Sequence, residues 1–196
     1  MAEQFLKTLM TPAVRRAQAH YYGRERVPLQ APERDLLGGD ERAFIEARDS
    51  FYMATVSEEG WPYVQHRGGA RGFLRVVGPE QLAFADYRGN RQLLTTGNLA
   101  ANDRVTLFLM DYPNRTRLKI IGRARTENAK EHPELFATVA DPAAARVVER
   151  FVLIEVVSFD WNCPQYITPR YSADEIEGLI APLKKRIAEL EAALPT

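Results

Sequence analysis

Four short segments concentrate the residues able to do chemistry: Gln65-His66-Arg67-Gly68-Gly69, Asp86-Tyr87-Arg88-Gly89-Asn90-Arg91, Asn114-Arg115-Thr116-Arg117 and Trp161-Asn162-Cys163-Pro164-Gln165. The second is the most telling. Its glycine-containing turn lies between a strand pattern and a helical one, and a helix start offers free N–H groups and a positive dipole end to an anion. Arg88 and Arg91 add charge-assisted donors and Asn90 a neutral one, a set that suits a phosphate monoester. An ordinary solvated turn would use the same residue types. The fourth segment supplies an aromatic body in Trp161 and amides in Asn162 and Gln165. Such groups read the edge of a planar heterocycle, a flavin or a nucleobase. Trp161 is equally a candidate core residue.

Other chemistries are disfavoured. The three histidines, His20, His66 and His132, have no metal-ligand spacing with one another or with Cys163, so no metal site is expected. Nucleophilic catalysis by Cys163 would need His66 brought beside it, and Cys-Pro in a loop reads more simply as structural. Neither a Gly-x-Ser-x-Gly elbow nor a Walker loop is present. A single cysteine among 196 residues allows no intrachain disulfide. Lys plus Arg and Asp plus Glu each number 26. A neutral chain has no global field for a polyanion, so nucleic acid is not an expected partner. No apolar run reaches the roughly 20 residues of a membrane span, and Met1 to Gly23 lacks the apolar centre of a signal peptide. The expectation is a cytoplasmic protein without membrane contact.

The elements that must position these segments follow from punctuation and periodicity. Thr11 and Pro12 fit an N-cap and first helical residue, opening a helix to about Tyr22 that Gly23 ends. Residues 24 to 39 read as a long loop, and Asp40 can cap a short helix to about Arg48. Phe51 to Val56, a Glu58-Glu59-Gly60 turn and Trp61 to His66 form a hairpin. Gly72 to Val77 and Gln81 to Asp86 form a second. A helical stretch spans about Arg91 to Ala101. Strands follow at Arg104 to Asp111 and Arg115 to Arg125, then a helical segment from Pro133 to Val148 and a seventh β-rich stretch from Arg150 to Phe159. Successive hairpins with short helices between them argue for an antiparallel barrel with peripheral helices. At the C-terminus, Ser172 and Glu175 fit a capping box. Ile176, Ile180, Leu183, Ile187, Leu190 and Leu194 recur in steps of four and three, the period of a coiled-coil seam. Pro182 should kink or restart this helix. The seam fits packing on the chain's own barrel or on a dimer partner.

Taken in order, these segments resemble the pyridoxamine 5'-phosphate oxidase-like family of FMN-binding split barrels. Tyr63-Val64-Gln65-His66-Arg67-Gly68-Gly69 and Trp161-Asn162-Cys163-Pro164-Gln165 carry the resemblance, the latter being similar to a predicted flavin-nucleotide-binding subgroup. It covers about Asp49 to Arg125 and Arg150 to Tyr171, and it implies a mainly β fold: a six-stranded antiparallel split β-barrel, here with a C-terminal helix. The implied organisation is an N-terminal helix and loop extension at 1–40, the barrel at 41–171 and the C-terminal helix at 172–196. It also implies a homodimer with FMN in two clefts between subunits.

Residue by residue, Gln65 falls where the oxidases have an arginine, with His66 and Arg67 following along the flavin. Ala85 and Asp86 replace a Tyr-Thr pair under the ring, and Asn90-Arg91-Gln92 replaces a Ser-Arg-Lys phosphate clamp. Thr116 and Arg117 match an Arg-Gln reaching the ring, and Trp161 matches a tryptophan supplied by the partner. Two cations of the pattern are thus Gln65 and Gln92 here, with Arg67 and Arg88 nearby to compensate. The Arg-Leu-His-Asp-Arg stretch that grips the vitamin in the oxidases is missing, and only Arg170 matches its last arginine.

The resulting expectation is an FMN-dependent oxidoreductase that is not a dedicated pyridoxamine phosphate oxidase. It would act on a small-molecule substrate or electron donor by hydride transfer to flavin N5, with Arg67 or Arg117 stabilising the reduced flavin. The alternatives are a non-enzymatic flavin or haem carrier on the same barrel, or a cofactor-free interaction module.

Overall fold

A computed structural model of the chain describes residues 3–27, 30, 32–161 and 164–193. They fall into two compact units, one within residues 3–110 and 117–161 and one within residues 111–116 and 164–193.

The first unit is built on an antiparallel sheet of seven strands: β1 (Ser50–Val56), β2 (Pro62–Gly68), β3 (Arg75–Gly78), β4 (Gln81–Tyr87), β5 (Arg104–Asp111), β6 (Thr116–Asn128) and β7 (Val148–Trp161). The count among the described residues is seven rather than the six implied by resemblance. The order is β2-β1-β5-β6-β7-β4-β3, consistent with a split barrel. Period-two alternation builds the interior. Phe51 and Met53 of β1, Leu82 and Phe84 of β4, Val105, Leu107 and Leu109 of β5, and Val152, Ile154 and Val156 of β7 share one buried cluster. Phe51 meets Phe84 edge-on at 5.4 Å and stacks with Phe73 at 5.4 Å. The sheet therefore curls until β1 and β4 touch through their side chains. At Gly122, beside a register shift in the β6–β7 ladder, a Cβ would lie 2.5 Å from the Glu155 carbonyl oxygen. Only glycine admits that approach.

Among the described residues five α-helices belong to this unit: α1 (Glu3–Leu9), α2 (Pro12–Tyr22), α3 (Gly39–Glu46), α4 (Leu94–Ala101) and α5 (Pro133–Val139). The expected caps of α2 are present. The Thr11 hydroxyl accepts from the Val14 N–H, and Gly23 adopts φ 65°. Helix α1, absent from the sequence reading, buries Gln4 and Phe5, and the Lys119 ammonium lies 4.7 Å from the Phe5 ring. In α3 the N-cap is Gly38, not Asp40, because Glu41 reaches back to the Gly38 N–H at 3.0 Å. Helix α5 ends at Val139, and a short 3-10 turn takes over at Pro142–Val147, since a proline cannot continue the helix. The loop before α3 is strapped to β7: the Asp35 carboxylate accepts from the Ser158 hydroxyl and the Phe159 N–H.

In the second unit, α6 (Ala173–Ala192) starts with the expected Ser172–Glu175 capping box and runs uninterrupted through Pro182. Ile176, Leu183, Ile187 and Leu190 of its seam are 46–63% exposed; Leu194 lies outside the described residues.

Candidate functional site

Where β2 and β4 face each other, the interior of the barrel changes character. The inward series Leu82, Phe84 of β4 continues with Asp86, and the series Ile154, Val152 of β7 continues with Arg150. Asp86 and Arg150 are direct cross-strand partners, and Arg67 approaches from β2. The Asp86 carboxylate accepts from Arg67 Nη1 at 2.7 Å and from Arg150 Nε at 3.0 Å. These side chains are only 11–18% exposed. Arg67 also lies over the Phe84 ring at 5.6 Å, and its Nε is buried without a hydrogen-bond partner among the described residues. The ion pair thus clasps the two strands across the split.

Above the clasp is a cleft of about 220 Å³, lined by Gln65 and Arg67 of β2, Asp86 and Tyr87 of β4, the turn Arg88 to Leu93, the first residues of α4, and Arg150. Four arginines face one aspartate, so an overall neutral chain concentrates positive charge here. The turn is strained: Gly89, Arg91 and Leu93 all have positive φ, at 49°, 60° and 56°. Each non-glycine residue in that region costs on the order of 1–3 kcal/mol. Leu93, the N-cap of α4, offers no side-chain cap. The first turn of α4 closes with the bond from the Gly97 N–H to the Leu93 carbonyl, at 2.8 Å. The N–H groups of Leu94, Thr95 and Thr96 are therefore left for a ligand or solvent. An uncapped helix start beside four guanidiniums is an anion site by charge and by donor count.

The remaining polar groups hold this arrangement. The Gln65 side-chain oxygen accepts from the Thr95 hydroxyl at 2.9 Å, and Asn98 donates to the Thr55 hydroxyl oxygen at 2.8 Å, fixing α4 to β2 and β1. The Asn90 side-chain oxygen accepts from the Gln92 N–H at 3.1 Å, so it shapes the turn. Arg88 donates to Glu149 at 3.2 Å, and Arg150 Nη1 to the same carboxylate at 3.3 Å. Arg91 is exposed and makes no ion pair among the described residues. Burial, and then the Asp141 carboxylate, push the Tyr87 phenol above its ordinary pKa, so its hydroxyl keeps its proton at neutral pH.

Of the residues expected at the site, Gln65, Arg67, Asp86, Arg88, Asn90, Arg91 and Gln92 meet in this cleft. Others do not. Ala85 points the opposite way, into a buried cluster with Ala83, Val139 and Phe151, because neighbours in a strand alternate faces. His66 alternates out of the cleft for the same reason and meets the Tyr52 ring edge-on at 5.6 Å. Arg117 lies over Phe108 at 5.3 Å. Trp161 is the last residue of β7 rather than a loop residue; its indole donates to Glu41 at 2.9 Å and packs edge-on against Phe44. That indole N–H is committed within its own chain. In the second unit, the Thr116 hydroxyl donates to the Asn114 carbonyl at 3.2 Å, Gln165 is exposed, and the Arg170 guanidinium lies over Tyr112 at 5.1 Å. Asn162 and Cys163 lie outside the described residues.

Thr95, Thr96 and Arg150 also line the cleft but were not expected there, and Tyr63 and Tyr87 join them from segments that the sequence singled out without giving either tyrosine a role. Arg150 had a signal: it stands two residues before Val152 and four before Ile154, a cation in an otherwise apolar inward series. Among the described residues, no group of His, Cys, Asp and Glu could hold a metal ion, and no helix is long and apolar enough to cross a membrane.

Residues 39–161 match the family model for pyridoxamine 5'-phosphate oxidase, and the chain belongs to that family. No curated protein matches it. Among solved structures it is similar to HupZ of Group A Streptococcus, at 15% identity over 68% of this chain and 99% of that one, with a TM-score of 0.49. It is similar to an FMN-binding protein of Syntrophomonas wolfei, at 11% identity over 62% and 83%, with a TM-score of 0.44. A third is a Clostridium acetobutylicum protein related to general stress protein 26, of the pyridoxinephosphate oxidase family, at 13% identity over 70% and 94%, with a TM-score of 0.45.

Proposed function

We propose that the chain binds FMN, with the phosphate in the cleft above the Arg67–Asp86–Arg150 clasp, and works as an FMN-dependent oxidoreductase on a small substrate. The observation that carries this reading is the uncapped start of α4 opening on a cleft with a charge excess. Arg91, exposed and without an ion pair among the described residues, is the side-chain donor to the phosphate, and the Leu94, Thr95 and Thr96 N–H groups are the backbone ones. Gln65 keeps α4 aimed at the anion through Thr95. The cleft, at about 220 Å³, is below the roughly 300–1,000 Å³ of sites that enclose a whole drug-sized ligand. It suits the phosphate end of the molecule and leaves the ring outside.

The surface beside the cleft supports a second element of the reading, a homodimer that completes the ring site. Leu93 and Leu94, at the start of α4 in the cleft lining, are 47% and 46% exposed, apolar side chains of the kind that a twofold partner covers. When bound, FMN supplies hydride acceptance at its N5. The cleft residues bind and orient it, and Tyr87 holds its phenolic proton while doing so.

The test is the visible spectrum of the purified protein, followed by addition of FMN. Flavin bands are expected. A Soret band would point to a haem carrier, and a colourless protein indifferent to FMN would overturn the reading. Turnover is expected with a reduced nicotinamide as donor and not with pyridoxine 5'-phosphate; flavin bands without turnover would leave a flavin carrier.

A further inference from the structure

Helix α6 is the longest helix among the described residues, at 20 residues, and none of them is buried. A helix holds in water mainly by covering an apolar face. This one also carries Gly178 and Pro182 in its interior, the two residue types least favourable there. Its seam nevertheless runs from end to end. Ala173, Ile180 and Ile187 alternate with Ile176, Leu183 and Leu190, and Ile176, Leu183, Ile187 and Leu190 are exposed. Gly178 and Pro182 fall off the seam, so neither interrupts it. Leu179 adds exposed apolar surface beside it. The helix lies outside residues 39–161, the part that matches the family model.

Charge decides what fits this face. Asp174, Glu175 and Glu177 form an acidic block, and Lys184, Lys185 and Arg186 form a basic one further along. A copy laid parallel sets each block beside its like. A copy laid antiparallel sets each block beside its opposite. We infer that α6 is an interaction surface for a second copy of this chain, paired antiparallel with Ile180 of each copy against Leu183 of the other. In that register Ile176 meets Ile187 and Ala173 meets Leu190, so the whole seam is covered. Glu177 and Lys184 flank the seam on one edge, as their ion pair at 2.8 Å along the helix shows. Across the pair, Glu177 of each copy reaches Lys184 of the other. Sliding by one heptad either way brings Glu177 to Glu177 or Lys184 to Lys184 and uncovers one end of the seam. Neither the cleft nor a flavin enters this pairing.

The experiment follows disulfide formation between copies of the full chain under mild oxidation, with the native Cys163 replaced by serine. One protein carries Ile176→Cys and the other Ile187→Cys. The mixture is expected to cross-link about tenfold faster than either protein alone, because pairing raises the local thiol concentration only between unlike copies. Charge then tests the register. With Glu177→Lys in both proteins the rate should fall about fivefold, since two flanking pairs turn repulsive. With Glu177→Lys in one and Lys184→Glu in the other it should recover. That combination breaks the pair within each helix and restores it only between copies. Faster cross-linking of each protein alone would show a parallel pair and overturn the inference. So would a mixture no faster than the separate proteins, or a rate that the charge exchange does not recover.

Discussion

The barrel carries two sets of Arg–Asp pairs with nearly the same bond lengths and opposite circumstances. Arg67 and Asp86 meet at 2.7 Å with side chains 13% and 11% exposed. Arg123 and Asp103 also meet at 2.7 Å, at 50% and 47% exposed. Bond length does not separate them; solvent does. In water an ion pair is screened and contributes little. In the barrel mouth a charge without its partner is costly, and so charges are kept there only in a closed arrangement or beside a ligand. The difference teaches where the chain has concentrated its electrostatics. Arg123–Asp103 decorates β6, while the clasp joins β2, β4 and β7 and forms the floor of the anion cleft.

The strongest way to break the comparison is to remove one carboxylate from each pair. Asp86→Ala leaves the buried Arg67 guanidinium without its carboxylate and Arg150 with Glu149 alone, and should destabilise the unliganded protein by about 3–5 kcal/mol. Asp103→Ala should cost no more than about 1 kcal/mol. Denaturant unfolding measures both, and similar losses would mean that burial is not what distinguishes them.

A smaller effect is expected at the exposed rim of the cleft. Arg91→Ala should weaken FMN by about 1.5–3 kcal/mol, the size of a lost charged hydrogen bond, and leave riboflavin and unfolding stability nearly unchanged. A matching loss for riboflavin would move Arg91 away from the phosphate.

The smallest effect belongs to a surface pair at the start of α5, His132 and Glu134, outside both sets. The hydrogen bond to Glu134 raises the His132 pKa. The Glu134 pKa is lowered by a backbone hydrogen bond and then by His132. A raised histidine pKa stabilises the fold below its unfolded value of about 6.5, and that contribution is lost as pH rises through the folded pKa. An NMR titration should therefore place His132 above 6.5; a value below it would show that the pair does not form.

Much of the barrel was legible in the sequence because alternation and turns are local. The strand from Arg104 to Asp111 was read with its observed ends, and Thr11, Gly23, Ser172 and Glu175 announced their caps. Helix α1 was not legible: its stability comes from burying Phe5 and Gln4, which is tertiary. The anion turn was readable from Arg88, Asn90 and Arg91, as these lie together in the chain. The clasp was not, since Arg67, Asp86 and Arg150 come from three strands and only the closed sheet brings them together. Ala85 was misplaced for a simpler reason. Adjacent residues in a strand face opposite ways, so a pair read as one motif was split between cleft and core.

The central claim is that the phosphate of FMN sits at the start of α4 above the clasp. A crystal structure of the chain grown with FMN tests it most directly. The account predicts phosphate oxygens about 2.7–3.2 Å from the N–H groups of Leu94 to Thr96 and from the guanidiniums of Arg91 and the clasp, with the ring outside the cleft. Flavin bound elsewhere, the ring inside the cleft, or no flavin in the crystal would contradict it.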